Sequence, residues 1–344
     1  MKDFIAQCFW FTMEVREPIE WYPFKGPSIR GALFGALRRH YCFAPDEPEP
    51  AHSAVCPVCW LLSREDPSWE RGRTPPRPYT IEPPLETKTR YEPGETFSFG
   101  ITLFGQATNL FPYLVLAVLE MGRMGIGRRG EENKRRGGFS LSLIEEVNPL
   151  TGQRRKLLAG GERMVQAPES PVEHKRVKAL AKELAEKLAT RRSPLLMRFL
   201  TPTRIGERRV EENRWLVNRP LFAPFFRRLL ERLEALSTLY GEGPPNWDKD
   251  ALLALAEGVR LVEDRTRWVD IKSFSRRLGR PTPVGGFLGE AVYEAEDWRP
   301  LLPWLIWGTV THVGKDAVKG NGWYRISELG SQRGSDDGES ARQR

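Results

Sequence analysis

The sequence predicts an α+β protein in which one β-α-β-β-α-β unit occurs twice. Segments with alternating apolar residues, which indicate strands, are interleaved with segments whose apolar residues recur every three to four positions, which indicate helices. The same order of elements is found in both halves of the 344 residues, and each half has a glycine-rich loop before its last strand. A chain of this length also suits two domains. These observations predict tandem ferredoxin-like (RRM-like) domains.

The first unit opens with a strand at residues 9–15, where apolar and polar side chains alternate. Ser28 is then predicted to cap a helix whose apolar residues, from Ile29 to Tyr41, recur every four positions. The remaining elements of this unit are an extended piece near 79–81, a strand at 97–103, an apolar helix at 111–121, a glycine-rich loop at 122–130 and a strand at 139–144.

The second unit repeats this order after a stretch rich in Lys, Arg and Glu. Its elements are a strand at 195–205, a long helix at 221–236, strands at 259–271 and 287–295, a helix at 301–310, a glycine-rich loop at 314–322 and a strand at 323–326. The predicted domains are residues 1–150 with a cysteine-containing insertion at 42–95, a charged helical connector at 151–192, residues 193–328, and a disordered tail at 329–344.

The charge of the chain favours an anionic partner. The sequence has 53 Lys and Arg residues against 45 Asp and Glu residues, which gives a formal net charge of +8. Nucleic acid is favoured over a membrane, because no apolar run approaches the roughly 18 residues that span a bilayer and no basic amphipathic anchor is evident. The 4 cysteines are too few for a disulfide framework, so we expect a cytoplasmic protein.

Two glycine-rich loops and one basic stretch are candidates for phosphate binding. Glycine lets main-chain N–H groups approach a phosphate closely, and both loops contain Lys or Arg. Neither loop has Walker spacing, so a P-loop nucleotidase is not supported. Residues 265–280 mix cations with aromatic side chains, a combination that binds a nucleic-acid backbone and stacks on bases. The alternative for this stretch is a solvated strand and turn with core aromatics.

Only 4 histidines are available for acid-base chemistry. RNA can be cut without a metal when its own 2′-hydroxyl attacks the adjacent phosphate. This reaction needs a base that titrates near neutral pH and cations that stabilise the phosphorane. His40 lies beside Arg38, Arg39 and Tyr41 in the sequence and is a candidate for that base. A structural role for this histidine is the alternative.

Cys56-Pro-Val-Cys59 has the spacing of a pair of metal ligands. A tetrahedral zinc ion needs four ligands, and Cys42 and His52 are the nearest residues that would complete a Cys₃His site. The alternative is two reduced thiols in a loop. A redox role would need a thioredoxin-like setting, which the sequence does not show.

Several motifs follow one another in a characteristic order. They are Pro27-Ser-Ile-Arg-Gly-Ala32, the cysteine cluster, Gly94-Glu-Thr-Phe-Ser-Phe-Gly-Ile-Thr-Leu-Phe-Gly105, Gly125-Ile-Gly-Arg128, Phe199-Leu-Thr-Pro-Thr-Arg204, Ser275-Arg-Arg277, His312-Val-Gly-Lys315 and Gly320-Asn-Gly-Trp-Tyr324. With these motifs over most of residues 9–326, the chain resembles the CRISPR-associated endoribonucleases of the RAMP superfamily that process precursor CRISPR RNA, the Cas-six type. One departure is Ser63-Arg-Glu-Asp66, where the family often has a further cysteine.

The resemblance implies two ferredoxin-like domains that bind the CRISPR repeat RNA, as precursor and as mature crRNA. It implies cleavage that needs no cofactor and leaves a 2′,3′-cyclic phosphate and a 5′-hydroxyl, and it allows other Cas effector subunits as partners. It places the general base on His40, with Tyr41 as an assistant and His312 as the reserve candidate. A non-catalytic crRNA-binding subunit of an effector or integration complex is the alternative function. The candidate RNA-binding residues are Lys25, Arg30, Arg38, Arg39, Arg128, Arg129, Arg267, Lys272, Arg276, Arg277, Gly314, Lys315, Lys319, Gly320 and Gly322.

Overall fold

The computed structural model describes residues 1, 4–45, 51–64, 74–130, 135–206, 217–275 and 279–330. The chain divides into two units. The amino-terminal unit consists of residues 2–172 and 235–244, and the carboxy-terminal unit consists of residue 1, residues 173–234 and residues 245–344. The predicted tail beyond Gly330 lies outside the described residues, as do Arg276 and Arg277.

In the amino-terminal unit an antiparallel sheet is combined with two main helices. The elements are β1 (Ile5–Val15), β2 (Ile19–Glu20), α1 (Gly26–Tyr41), α2 (Ala51–Val55), α3 (Pro57–Ser63), β3 (Tyr79–Glu82), β4 (Arg90–Tyr91), β5 (Thr96–Phe104), α4 (Phe111–Met124), β6 (Phe139–Asn148) and β7 (Gln153–Ala159). The order of the main sheet is β3-β5-β1-β6-β7, and every neighbouring pair is antiparallel. Helices α1 and α4 pack against each other.

The alternation of residues in β1 determines which face of the sheet is covered. Phe9, Phe11 and Met13 are fully buried, whereas Trp10 between them is half-exposed. Phe9 stacks on Phe111, the first residue of α4, with 4.3 Å between the ring centroids. A shift of one residue would turn this apolar set to the opposite face, so the alternation also fixes the register of β1.

The carboxy-terminal unit has a second antiparallel sheet. From the unit boundary onwards the elements are β8 (Val172–Glu173), α5 (His174–Arg191), β9 (Leu195–Thr203), α6 (Phe222–Tyr240), α7 (Lys249–Glu257), β10 (Arg260–Val269), β11 (Lys272–Ser275), β12 (Arg280–Pro283), β13 (Gly286–Glu294), α8 (Leu302–Thr311) and β14 (Tyr324–Glu328). The sheet order is β10-β13-β9-β14, and β11 and β12 form a separate hairpin. Residues 235–240 of α6 group with the amino-terminal unit.

Both sheets have the strand order of a ferredoxin-like domain. When the strands of each β-α-β-β-α-β unit are counted along the chain, β3-β5-β1-β6 and β10-β13-β9-β14 both run second, third, first, fourth. This order confirms the predicted α+β fold with a duplicated unit. In the part of the chain that the structure describes, no helix combines the length and apolar character that a bilayer-spanning segment requires.

The start of α1 differs from the prediction, because Ser28 is not its cap. Lys25 occupies the N-cap position and Pro27 lies in the first turn. The N–H groups of Ser28 and Ile29 donate to the Lys25 carbonyl at 3.0 and 3.1 Å. Proline has no N–H to satisfy and its φ suits a helix, so the helix starts ahead of the predicted cap.

The stretch predicted as a charged helical connector is helical only in its second part. Residues 153–159 form β7, which pairs with β6 across a turn that contains Gly152. The prediction failed here because Arg154 pairs with Glu145 on β6 at 2.7 Å, so cross-strand ion pairing accommodates the charged residues in an edge strand. Helix α7 and the β11–β12 hairpin were not predicted either.

Candidate functional site

The strongest candidate for acid-base chemistry lies at the end of α1. The last turn of this helix contains Arg38, Arg39 and His40, and the His40 side chain is 38% exposed. Its Nε2 atom lies 3.9 Å from Glu120 Oε2 on α4. A partly exposed imidazole is accessible to a bound ligand and can exchange a proton with it.

Tyr41 and Arg123 complete a group of four side chains with His40 and Glu120, which we call the α1–α4 cluster. Burial, and after it the charge of Glu120, raise the pKa of the Tyr41 hydroxyl above its ordinary value, while Arg123 opposes this shift. Arg123 is ion-paired with Glu120. Tyr41 therefore stays a neutral phenol at physiological pH and can donate a proton or a hydrogen bond.

Arg39 is the most weakly held cation next to this cluster. It is exposed, and within the described residues its guanidinium has only a weak contact with Met124 Sδ, at 4.0 Å from Nη1. Such an arginine can turn towards a phosphate at low cost and bind two of its oxygens at once. Arg39 is therefore well placed to stabilise negative charge beside His40.

Cationic and aromatic side chains alternate along one face of α1, where Arg30, Phe34 and Arg38 follow each other at intervals of four residues. The guanidinium carbons of Arg30 and Arg38 lie 4.8 and 5.7 Å from the centroid of the Phe34 ring. We call these three residues the α1 ladder. Both arginines were predicted from the sequence as RNA contacts and Phe34 was not, although the four-residue spacing is a signal that could have identified it.

Lys25 and His312, which were predicted to contact or cut the RNA, are buried. Lys25 Nζ donates to the Glu86 carbonyl at 2.5 Å, and burial lowers the pKa of the Lys25 ammonium group. His312 is fully buried, and its ring stacks on Trp323 with 6.0 Å between centroids. A side chain without solvent access does not reach a phosphate, so these positions argue against RNA contact by Lys25 and against catalysis by His312.

The amino-terminal glycine-rich loop presents two exposed arginines, Arg128 and Arg129. The guanidinium carbon of Arg128 lies 5.4 Å from the ring centroid of Tyr22, which is itself exposed. Gly127 has a φ of 88°, and a Cβ at this position would lie 2.2 Å from the Glu20 carbonyl oxygen. Packing of the backbone therefore requires glycine here, and the cation–aromatic pair is what the loop offers to a ligand.

The carboxy-terminal glycine-rich loop is tied to the residues that follow β9. The N–H of Lys315 donates to the Arg204 carbonyl at 3.0 Å. Lys315 is exposed, whereas Lys319 Nζ pairs with Asp316 at 2.8 Å. The predicted glycines of this loop all have positive φ values, which are 79° for Gly314, 85° for Gly320 and 73° for Gly322. Lys315 thus lies on the exposed side of a loop whose backbone is fixed by hydrogen bonds.

The basic stretch predicted in the second half is largely exposed. Arg267 on β10 and Lys272 on β11 are exposed, and Phe274 on β11 is 65% exposed. Arg276 and Arg277 lie outside the described residues. Exposed cations beside an exposed aromatic fit a nucleic-acid surface, and the alternative of a core aromatic does not apply to Phe274.

The four predicted metal ligands converge in the insertion that follows α1. Cys42 is the residue after α1, His52 lies in α2, and Cys56 and Cys59 lie at the start of α3. The N–H of Cys56 donates to the His52 carbonyl at 3.0 Å, and the N–H of Trp60 to the Cys56 carbonyl at 2.8 Å. All four ligand residues are buried, and their ligand atoms lie within 4.8 Å of one another.

The distances in this Cys₃His cluster are close to those of a tetrahedral zinc site. Cys42 Sγ lies 3.1 Å from His52 Nε2, 3.7 Å from Cys59 Sγ and 3.9 Å from Cys56 Sγ. Zinc–ligand bonds of about 2.0–2.3 Å imply separations of about 3.5–3.8 Å between ligand atoms. Burial, followed by the hydrogen bond with Cys42, raises the pKa of the Cys59 thiol to about 12. A bound cation would therefore have to displace a proton from this thiol.

Family comparison agrees with the motifs and the fold. Residues 197–324 match a family model described as CRISPR-associated endoribonuclease Cas6. This match covers less than half of the chain and shows that its carboxy-terminal part is similar to Cas6 endoribonucleases. A second family model, described as an N-terminal domain, matches residues 4–170. No curated protein matches the chain. The Cas6 family consists of RNA endonucleases, which agrees with the class of enzyme that the sequence predicts.

Solved Cas6 structures share this fold. A Thermus thermophilus Cas6 is 16% identical, with a TM-score of 0.54, and the match covers 95% of this chain and 100% of that chain. A Cas6 product complex is 17% identical, with a TM-score of 0.54 and coverage of 94% and 99%. A partial Cas6-RT-Cas1–Cas2 complex is 12% identical, with a TM-score of 0.59, and the match covers 96% of this chain and 47% of that chain. At these identities the likeness establishes the fold.

Proposed function

We propose that the chain binds the repeat RNA of its CRISPR locus and cuts it within the repeat, with His40 as the general base. The observation that carries this proposal is the partly exposed His40 imidazole, 3.9 Å from Glu120 and next to Arg39. The match to the Cas6 family and the formal net charge of +8 agree with an RNA substrate.

The other three histidines have structural surroundings. His52 belongs to the Cys₃His cluster, His174 Nδ1 accepts a hydrogen bond of 2.9 Å from Trp307, and His312 is fully buried. None of these rings combines exposure with a neighbouring carboxylate and arginine, so His40 is the histidine best suited to a general base.

In the proposed reaction, His40 accepts the proton of the 2′-hydroxyl of the nucleotide at the cut. The 2′-oxygen forms a bond to the adjacent phosphorus, the bond from phosphorus to the 5′-oxygen breaks, and that oxygen takes up a proton from water. The products are a 2′,3′-cyclic phosphate and a 5′-hydroxyl. Arg39 stabilises the charge of the phosphorane, Glu120 stabilises the imidazolium, and the neutral Tyr41 phenol donates a hydrogen bond. No metal ion takes part in any of these steps.

Cleavage of the repeat RNA in EDTA tests both the mechanism and the residue. The His40→Ala variant should cut about 10²- to 10⁴-fold more slowly than the wild type. His174→Gln, a histidine change in the carboxy-terminal unit, is the matched control and should leave the rate unchanged. An RNA with a single 2′-deoxy nucleotide at the cut should bind and stay intact, because the nucleophile is missing.

Three results would contradict the proposal in different ways. An unchanged rate for His40→Ala would remove His40 from the mechanism. Loss of wild-type cleavage in EDTA, with the fold intact, would exclude the metal-independent reaction. Tight binding of the repeat RNA without any cut product would favour the alternative, a non-catalytic crRNA-binding subunit. The proposal also includes other Cas subunits as partners, since a relative of the same fold is a Cas6-RT-Cas1–Cas2 complex, and co-purification with them would test this.

We further propose that the Cys₃His cluster holds one structural zinc ion. His52 Nε2 lies 3.1 Å from Cys42 Sγ and supplies the fourth ligand, while the Ser63 hydroxyl donates to the Cys59 carbonyl at 3.3 Å. Four buried ligands with no open position suit a structural ion rather than a catalytic one.

Metal analysis of the purified protein tests the zinc assignment. The wild type should contain one zinc ion per chain, and Cys59→Ser should lose most of it. Cys8→Ala is the matched control, because Cys8 is also a buried free thiol but lies in β1, outside the cluster. Loss of zinc from Cys8→Ala as well, or a wild type without zinc, would overturn the assignment.

A further inference from the structure

Phe43 is a large apolar side chain in an unusual position. It is 67% exposed, and it follows directly after Cys42, one of the four cluster ligands. Its ring meets the His52 ring edge-on, with 4.9 Å between centroids and 63° between planes. The side chain is therefore fixed against a buried ligand while the rest of its surface faces solvent.

The backbone after Phe43 is fixed as well. The Arg38 guanidinium donates to the Pro45 carbonyl, two residues beyond Phe43. Arg38 is at the same time the last member of the α1 ladder, with its guanidinium carbon over Phe34. Phe43 is thus anchored on one side by the Cys₃His cluster and on the other by α1, so little conformational entropy is lost when a ligand binds to its exposed ring.

Chain geometry places this ring close to the proposed base. Phe43 is three residues beyond His40, so the two Cα atoms are no more than about 11 Å apart. The arginines of the last turn of α1, Arg38 and Arg39, lie in the same stretch of chain. Phosphate-binding cations next to a fixed aromatic face are the combination that holds single-stranded RNA, because every base has a face that can stack.

We propose that Phe43 stacks on a nucleobase beside the scissile phosphate, and that the Cys₃His cluster positions it for this contact. This inference rests on the proposed RNA cleavage at His40 and adds a positioning residue that neither the composition nor the motifs indicated. The stack holds one base, and with it the neighbouring phosphate, at a fixed distance from His40. The ligand is a base in single-stranded RNA, since a paired and stacked base would not offer its face.

A fluorescent base analogue makes this contact visible without cleavage. Repeat RNAs carry a 2′-deoxy nucleotide at the cut and one 2-aminopurine at successive positions around it. Wild-type protein should quench the fluorescence at one or two positions next to the cut. Phe43→Ala should abolish this quenching and weaken binding about 5- to 50-fold, Phe43→Trp should retain it, and Phe43→Leu should behave like Phe43→Ala.

The matched control is Val55→Ala, because Val55 is a 70% exposed apolar residue in α2, next to the Cys56 ligand. It should keep both the quenching and the affinity, and metal analysis should show the same zinc content in all variants. If Phe43→Ala quenches the same positions as the wild type, and the wild type cleaves ordinary repeat RNA, the proposed role of Phe43 is wrong. The proposed cleavage at His40 is not affected by that result. Phe43-dependent quenching without cleavage would overturn the proposed reaction and leave the contact standing. Absence of RNA binding would overturn both.

Discussion

Replacing Gly322 by alanine should destabilise the carboxy-terminal unit by about 3 kcal/mol. Gly322 has a φ of 73°, and a Cβ at this position would lie 1.9 Å from the Val313 carbonyl oxygen. The left-handed conformation costs an L-residue about 1–2 kcal/mol. The Val313 oxygen belongs to the backbone and cannot rotate away like a side chain, so the glycine-rich loop has to open at this point.

Opening the loop breaks two backbone hydrogen bonds. The N–H of Val313 donates to the Gly322 carbonyl, and the N–H of Gly322 donates to the Pro202 carbonyl, both at 3.1 Å. Each bond contributes about 1 kcal/mol to stability. Alanine also lowers the entropy of the unfolded chain, which offsets about 0.4–1 kcal/mol of the loss.

Urea unfolding followed by tryptophan fluorescence measures this loss. The matched control is Gly330→Ala in the same unit, because Gly330 has a φ of 84° but no heavy atom within 4 Å of its would-be Cβ. The control should lose about 1 kcal/mol or less, since only the backbone conformation is unfavourable. Affinity for repeat RNA should fall with Gly322→Ala and not with Gly330→Ala, because Lys315 is displaced. Equal stability of the two variants would refute the steric argument.

Two further predictions concern titration and salt. Burial, and after it the amino terminus and Lys178, lower the pKa of His174 from 6.5 to about 4. The unfolded chain therefore binds more protons than the folded one between these values, and stability should fall by about 1–2 kcal/mol, after allowance for solvent screening, as the pH drops from about 6.5 to 4. His174→Gln should flatten this part of the pH–stability curve, and an unchanged curve would rule out His174 as its cause. Arg39→Gln should reduce the slope of log affinity for repeat RNA against log salt by about 0.7, whereas Lys25→Met should lower stability and leave the slope unchanged, because Lys25 is buried. Equal slopes for both variants would contradict this distinction.

The fold could be predicted from the sequence because its main elements bury one face each. In β1 the alternation of Phe9 and Phe11 with Trp10 and Thr12 corresponds to buried and half-exposed side chains. The same pattern is absent where other forces stabilise an element. Strand β7 carries a cross-strand ion pair to β6, and α2 and α3 are short helices organised around four cysteine and histidine side chains. Local periodicity carries no signal for such elements.

The candidate site was predicted only in part, because a sequence shows which functional groups the side chains carry but not which of them solvent can reach. His40 and His312 are both candidate bases in the sequence, yet one side chain is 38% exposed and the other fully buried. Lys25 likewise carries a charge that would suit a phosphate, but its ammonium group is buried and donates a hydrogen bond to the Glu86 carbonyl. Glu120, the partner of His40, comes from a helix 80 residues further along the chain, and only the packing of α1 against α4 brings the two together.

In the two glycine-rich loops the glycines and the cations have different roles, although in a sequence both suggest phosphate binding. Gly127 and Gly322 are required because a Cβ would meet the carbonyl oxygens of Glu20 and Val313, so these glycines serve the packing of their own units. Glycine content alone therefore cannot distinguish a phosphate-binding loop from a tightly packed turn. The cations beside the glycines carry that information instead. Arg128 lies over an exposed tyrosine and Lys319 is paired with an aspartate, so substitutions of Arg128 should weaken RNA binding more than substitutions of Lys319.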